Sequence, residues 1–141
     1  MALTQSEIAQ AIASKAHTGQ VDKAGRPYIE HPSFVAAHVE GDMAKAVAWL
    51  HDVVEDTPLS FEDFEAAGIR PEAIKALRLL THDKSVPYME YIAALKENPL
   101  ARAVKLADLH HNSDLSRLSK ITKKDKERAE KYKRAIKLLE G

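Results

Sequence analysis

The sequence predicts an all-α fold, a helical bundle of about eight helices, on three observations. No strand-like alternation of period two stands out, and β-branched residues do not cluster. Helix start and stop signals recur along the chain. The stretches between them are short, with no internal repeat, no low-complexity tract and no linker long enough to divide domains. Residues 1–141 are therefore expected to form one domain, the usual size for one.

The elements follow in order. Thr4 with Glu7 reads as a capping box opening a helix that carries Ile8, Ile12 and Ala16 and ends at about His17. Residues 18–27 are a polar loop with Gly19 and Gly25. Pro32 suits a first helical position, so a second helix runs from there to about Val39, with His31 at its mouth. Gly41-Asp42 breaks and recaps the chain, and a central helix follows to Asp56. Residues 60–67 make a short helix closed by Gly68. Pro71 opens the next, carrying Ile74, Leu77 and Leu80. After a connector, residues 88–96 are helical and end near Asn98-Pro99. Another helix spans about 100–112. Thr122 with Asp125 caps the last, where Ala129, Tyr132, Ile136 and Leu139 form one apolar stripe.

Composition narrows the function. The absence of cysteine excludes disulfides, thiolate metal sites and cysteine nucleophiles. Lys+Arg and Asp+Glu both number 21, so no global field favours nucleic acid or an anionic membrane. The Lys/Arg-rich stretch 120–137 is interspersed with acids and lacks aromatic interleaving, as on a solvated helix face. No apolar run approaches the length of a membrane span, and the first residues lack the basic-then-apolar pattern of a signal peptide. The expectation is a cytoplasmic protein with neither nucleic-acid nor membrane partners.

Chemistry concentrates in Leu50-His51-Asp52-Val53-Val54-Glu55-Asp56-Thr57-Pro58. The helix leading into it is apolar nearly all the way round, which places His51 and Asp52 in the interior. Buried ionisable groups need a partner, and a metal cation is a natural one. Glu55 and Asp56 lie one turn beyond His51 and Asp52, close to a helix end set by Pro58; the plainer reading makes them acids at a fraying terminus. Further on, Lys105, Asp108 and Asn112 share one helical stripe. An acid there is either paired locally to Lys105 or directed at something charged in the core. Together with His31, which could otherwise bond to backbone at its helix start, the set His31, His51, Asp52 and Asp108 offers two imidazole nitrogens and two carboxylates. Mixed N/O ligation without sulfur suits a divalent first-row ion such as Mn, Fe or Zn and leaves positions open for water.

Three stretches resemble the hydrolase domain of the RelA/SpoT family, within the HD phosphohydrolase superfamily. They are Ala16-His17-Thr18-Gly19-Gln20 through Gly25-Arg26-Pro27-Tyr28-Ile29-Glu30-His31-Pro32, then residues 50–57, then Val104-Lys105-Leu106-Ala107-Asp108 with Asn112. The length is close to that of the family's small stand-alone alarmone hydrolases. The resemblance implies an all-helical HD domain holding one divalent ion, commonly Mn²⁺, on His31, His51, Asp52 and Asp108. It implies that Glu55 and Asp56 handle the attacking water, and that Lys23, Lys84 and Asn112 contact a nucleotide polyphosphate. The implied reaction removes 3′ pyrophosphate from guanosine tetra- or pentaphosphate. One departure stands out: Asp22 occupies the place of a family arginine that packs on the guanine base. That leaves open another nucleotide or phosphorylated metabolite as substrate, or a non-catalytic nucleotide-binding module.

Overall fold

The first helix, α1 (Gln5–Ala16), starts where its cap dictates: Thr4 accepts from the Glu7 N–H, and Glu7 accepts in return from the Thr4 N–H. The structure, a computed structural model, describes residues 3–22, 24–118 and 120–141, with the Arg117 side chain left aside. Among the described residues it is all-α, with one isolated bridge between Val21 and Pro27 closing the loop after α1. The helices that follow are α2 (Glu30–Ala37), α3 (Asp42–Leu50), α4 (Val53–Asp56), α5 (Phe61–Ala67), α6 (Pro71–Leu80), α7 (Tyr88–Leu95), α8 (Pro99–Asn112) and α9 (Lys123–Glu140), with a 3₁₀ turn at Leu115–Arg117 before the last. None is long and apolar enough to cross a membrane.

Two boundaries differ from expectation. α2 begins at Glu30, so Pro32 sits inside the first turn rather than at its start. The first turn's N–H groups have no intrahelical partner, so a proline is tolerated there, and His31 is held within the helix instead of at its mouth. The expected continuous helix to Asp56 is two helices, α3 and α4, parted at His51-Asp52. The His51 ring contributes to the break: its Nδ1 lies 2.6 Å from the Ala48 carbonyl oxygen, which an intact helix would give to the backbone N–H of residue 52. Gly41, at φ +95°, caps α3 through its backbone. Asp42 does not recap its own helix; its carboxylate accepts from the Gln5 and Ser6 N–H groups and ties α1 to α3.

The core is centred on α3, which packs against α1, α2, α6 and α8. Its small side chains Ala44, Ala46 and Ala48 let neighbours approach closely, while Val47, Trp49 and Leu50 fill the spaces between. α8 packs on α2, α3, α6 and α9, so α2, α3 and α8 form one mutually contacting group. Leu50 is fully buried immediately before His51. Leu50→Ala is expected to cost about 2–5 kcal/mol, as core Leu truncations do, read as a lowered urea midpoint at unchanged m-value.

Candidate functional site

The three mutually packed helices and the α3–α4 break bring together side chains far apart in sequence. His31 comes from the first turn of α2, His51 from the residue after α3, Asp52 from the residue before α4, and Asp108 from the middle of α8. One donor atom from each lies within 4.8 Å of all the others. His31 Nε2 is 2.7 Å from Asp108 Oδ1 and 3.7 Å from Asp52 Oδ2. His51 Nε2 is 3.1 Å from Asp52 Oδ2 and 3.3 Å from Asp108 Oδ1. Such spacings suit atoms that each sit about 2.0–2.2 Å from one shared centre. Both imidazoles present Nε2 inward because Nδ1 is engaged outward, on the Ala48 carbonyl for His51 and on His111 Nδ1 at 2.6 Å for His31. The buried cluster could hold a divalent metal ion.

The charges reinforce one another. Burial alone would raise the Asp52 carboxyl, but His51 beside it holds it down, to about 2. Burial likewise opposes ionisation of Asp108, and Lys105 with the two imidazoles outweighs it, holding that carboxyl well below the usual carboxylate range. For His51 burial acts downward, and Asp52 and Asp108 push the imidazole well above its ordinary value. Lys105 Nζ donates to Asp108 Oδ2 at 3.0 Å while Asp108 Oδ1 faces the imidazoles. The two readings of Asp108, local pair and core-directed acid, therefore hold at once, one per oxygen.

Two cavities of about 440 Å³ each lie nearby, one lined by His51 and Asp52 and the other by Tyr28 and Asn112, which bond to the two carboxylates. The first is lined by His51, Asp52, Glu55, Asp56, Lys84 and Lys105, among others. Burial raises the carboxyls of both Glu55 and Asp56, and Asp52 nearby adds to it. Glu55 also accepts from the His82 N–H at 2.9 Å, pinning the loop that bears Lys84. Lys84 is exposed at the cavity wall. The second cavity contains Asn112, with Asp22, Tyr28, Arg128 and Tyr132. Asn112 donates to Asp108 Oδ1 at 3.0 Å. Asp22 Oδ1 accepts from the Ala24 and Arg26 N–H groups, so this carboxylate shapes its own loop as well as lining the cavity. Lys23 lies outside the described residues.

Tyr28 was not singled out by the sequence reading. Its hydroxyl donates to Asp52 Oδ2 at 2.5 Å, and burial, then the Asp52 charge, raise its pKa so that it keeps its proton. The available signal was its position three residues before His31, one helical turn away. His17, at the end of α1, meets Gln20 Oε1 through Nδ1 at 2.9 Å and tilts against the Tyr28 ring.

An all-α fold with two buried imidazoles, one buried carboxylate and one half-buried carboxylate beside an open cavity defines a class: helical proteins able to seat a divalent cation next to a cleft. No protein-family model matches the chain. The bifunctional (p)ppGpp synthase/hydrolase SpoT of Escherichia coli K12 is 35% identical over 115 residues, 72% of this chain and 16% of that protein. The guanosine-3′,5′-bis(diphosphate) 3′-pyrophosphohydrolase MESH1 of Danio rerio is 36% identical over 108 residues, 68% of this chain and 59% of that one. A solved structure described as a metazoan ortholog of SpoT that hydrolyzes ppGpp superposes with a TM-score of 0.76 at 27% identity, covering 100% of this chain and 88% of that one. The chain is a homologue of the SpoT-type ppGpp pyrophosphohydrolases, the metazoan form among them. It spans only 16% of the length of the SpoT relative.

Proposed function

We propose that the chain is a single HD-type domain acting in the cytoplasm as a metal-dependent phosphohydrolase, which removes the 3′ pyrophosphate from guanosine tetra- or pentaphosphate. The observation that carries this is the meeting of His31, His51, Asp52 and Asp108 at one point, with Glu55 and Asp56 on the adjoining cavity wall. The donor set fits a divalent ion, Mn²⁺ in the first instance. When bound there, such an ion supplies Lewis acidity to a phosphoryl oxygen and acidifies water. The chain's own groups do the rest. Tyr28, Lys105 and Asn112 hold the two carboxylates in place through the hydrogen bonds given above. Glu55 and Asp56, with carboxyls raised by burial, orient the attacking water and accept its proton. Lys84, on the same cavity, and Lys23 offset the polyphosphate charge. Asn112 faces the sugar from the second cavity.

The experiment is a substrate panel with Mn²⁺, scored separately for pyrophosphate and for phosphate. Guanosine tetraphosphate is expected to yield pyrophosphate. Asp22 in the second cavity is the observation favouring a second reading, a different nucleotide or phosphorylated metabolite. Turnover of such a compound alone would establish that reading, whereas measurable affinity without turnover would make the chain a binding module. Lys84→Ala is expected to raise KM for the polyphosphate and leave ion content unchanged. Steady-state kinetics and metal analysis check it, since Lys84 borders the first cavity and is not among the four clustered side chains.

A further inference from the structure

We infer that His111 is a positioning residue for the candidate ion site: it accepts the Nδ1 proton of His31 and thereby keeps the His31 lone pair on Nε2. The inference rests on the reading of the cluster as an ion site and adds a residue outside the four.

A neutral imidazole carries one ring proton. Nε2 of His31 points at Asp108 and Asp52, so coordination of a cation there requires the proton on Nδ1. A buried N–H needs an acceptor. His51 has the Ala48 carbonyl oxygen for this purpose. For His31 the group in that position is another imidazole: His111 Nδ1 stands 2.6 Å from its Nδ1. Two nitrogens this close share a single proton, so with the proton on His31 the His111 ring must present a bare Nδ1.

The placement of His111 is built in. It is buried on α8, one turn after Asp108, so the helix that supplies one carboxylate also supplies the orienting group for the opposite imidazole. Its ring lies 14° from parallel to that of His31, with centroids 4.9 Å apart. Phe34, one turn after His31 on α2, stacks on His111 at 4.0 Å and 19°. Each of the two helices thus restrains the other's ring, and the tilt of His111 does not depend on the hydrogen bond alone.

Two variants separate the proton-accepting role from the packing role. His111→Phe keeps an aromatic ring against Phe34 and removes the acceptor. His111→Asn removes the ring and can set Oδ1 where Nδ1 now stands. The readout is the Mn²⁺ dissociation constant of the full chain, from the electron paramagnetic resonance of free Mn²⁺, with thermal melts in chelator to verify folding. His111→Phe is expected to bind about 10–100-fold more weakly, the usual effect of losing such an outer partner, and His111→Asn to bind near wild type. Wild-type affinity in a folded His111→Phe overturns the inference while leaving the ion site standing. So does an equally weak, folded His111→Asn, which would assign the residue to packing. Should His111→Phe not fold, the affinity of His111→Asn decides alone. Wild-type protein that takes up no Mn²⁺ overturns the ion site itself, and this inference with it.

Discussion

Asp108→Asn is expected to abolish ion uptake and hydrolysis together. The substitution keeps side-chain size and removes one charge at the point where the cluster is tied together. Asp108 Oδ1 faces both imidazoles and Asn112, and Oδ2 faces Lys105. An amide supplies a weaker donor to a cation and turns an N–H toward either Lys105 or the imidazoles. It also leaves the Lys105 ammonium buried without its counter-charge, and removing one partner of a buried pair typically costs about 3–5 kcal/mol. The variant should therefore melt well below wild type even in chelator, besides losing the extra stabilisation that an ion gives at saturation, about 2.7 kcal/mol at a hundred times its dissociation constant. Metal content by mass spectrometry, melting with and without Mn²⁺, and pyrophosphate release give three independent readings. Stoichiometric ion and undiminished turnover in this variant would remove the basis for the proposed function.

Glu55→Gln and Asp56→Asn should separate chemistry from ion binding. Both acids lie on the first cavity and outside the four clustered side chains. Ion content is expected to stay near wild type, while kcat falls about 10²–10⁴-fold for whichever residue takes the proton. The amide introduced by Glu55→Gln retains an oxygen for the His82 N–H, so the Lys84 loop need not move. The pH dependence has a definite sign. A base works only when deprotonated, and burial raises both carboxyls above their ordinary values. The acid limb of the rate profile should accordingly lie at higher pH than for an exposed carboxylate, and it should disappear from the residual rate of the variant that lost the base. Full activity in both variants would show that the acid pair has no part in the reaction.

Local features of the fold were legible in the sequence because they are decided locally. The capping pairs Thr4/Glu7 and Thr122/Asp125 and the proline that opens α6 each mark a boundary through hydrogen bonds or backbone limits confined to a few residues. The start of α2 and the division of the central helix were not legible in the same way. Pro32 is compatible with any position in a first turn, and the α3–α4 break involves a side chain capturing the Ala48 carbonyl, which leaves no periodic signal. The residue types of the site could be picked out from one buried-looking helix and one polar stripe. Their meeting could not, because His31 and Asp108 are separated by 77 positions and only packing joins them. Tyr28 and the His31–His111 contact belong to the same class, as hydrogen bonds between elements that spacing along the chain does not encode.

The interruption between α3 and α4 has a geometric corollary. Neighbouring residues on an unbroken α-helix diverge by about 100° around its axis, which sends their side chains in different directions. His51 and Asp52 are consecutive, yet their inner atoms lie 3.1 Å apart. The dipeptide closes like a pincer at the junction where α3 gives way to α4. A transplant of His-Asp into another scaffold should therefore carry the α3–α4 junction with it, since that junction is where the two inner atoms meet.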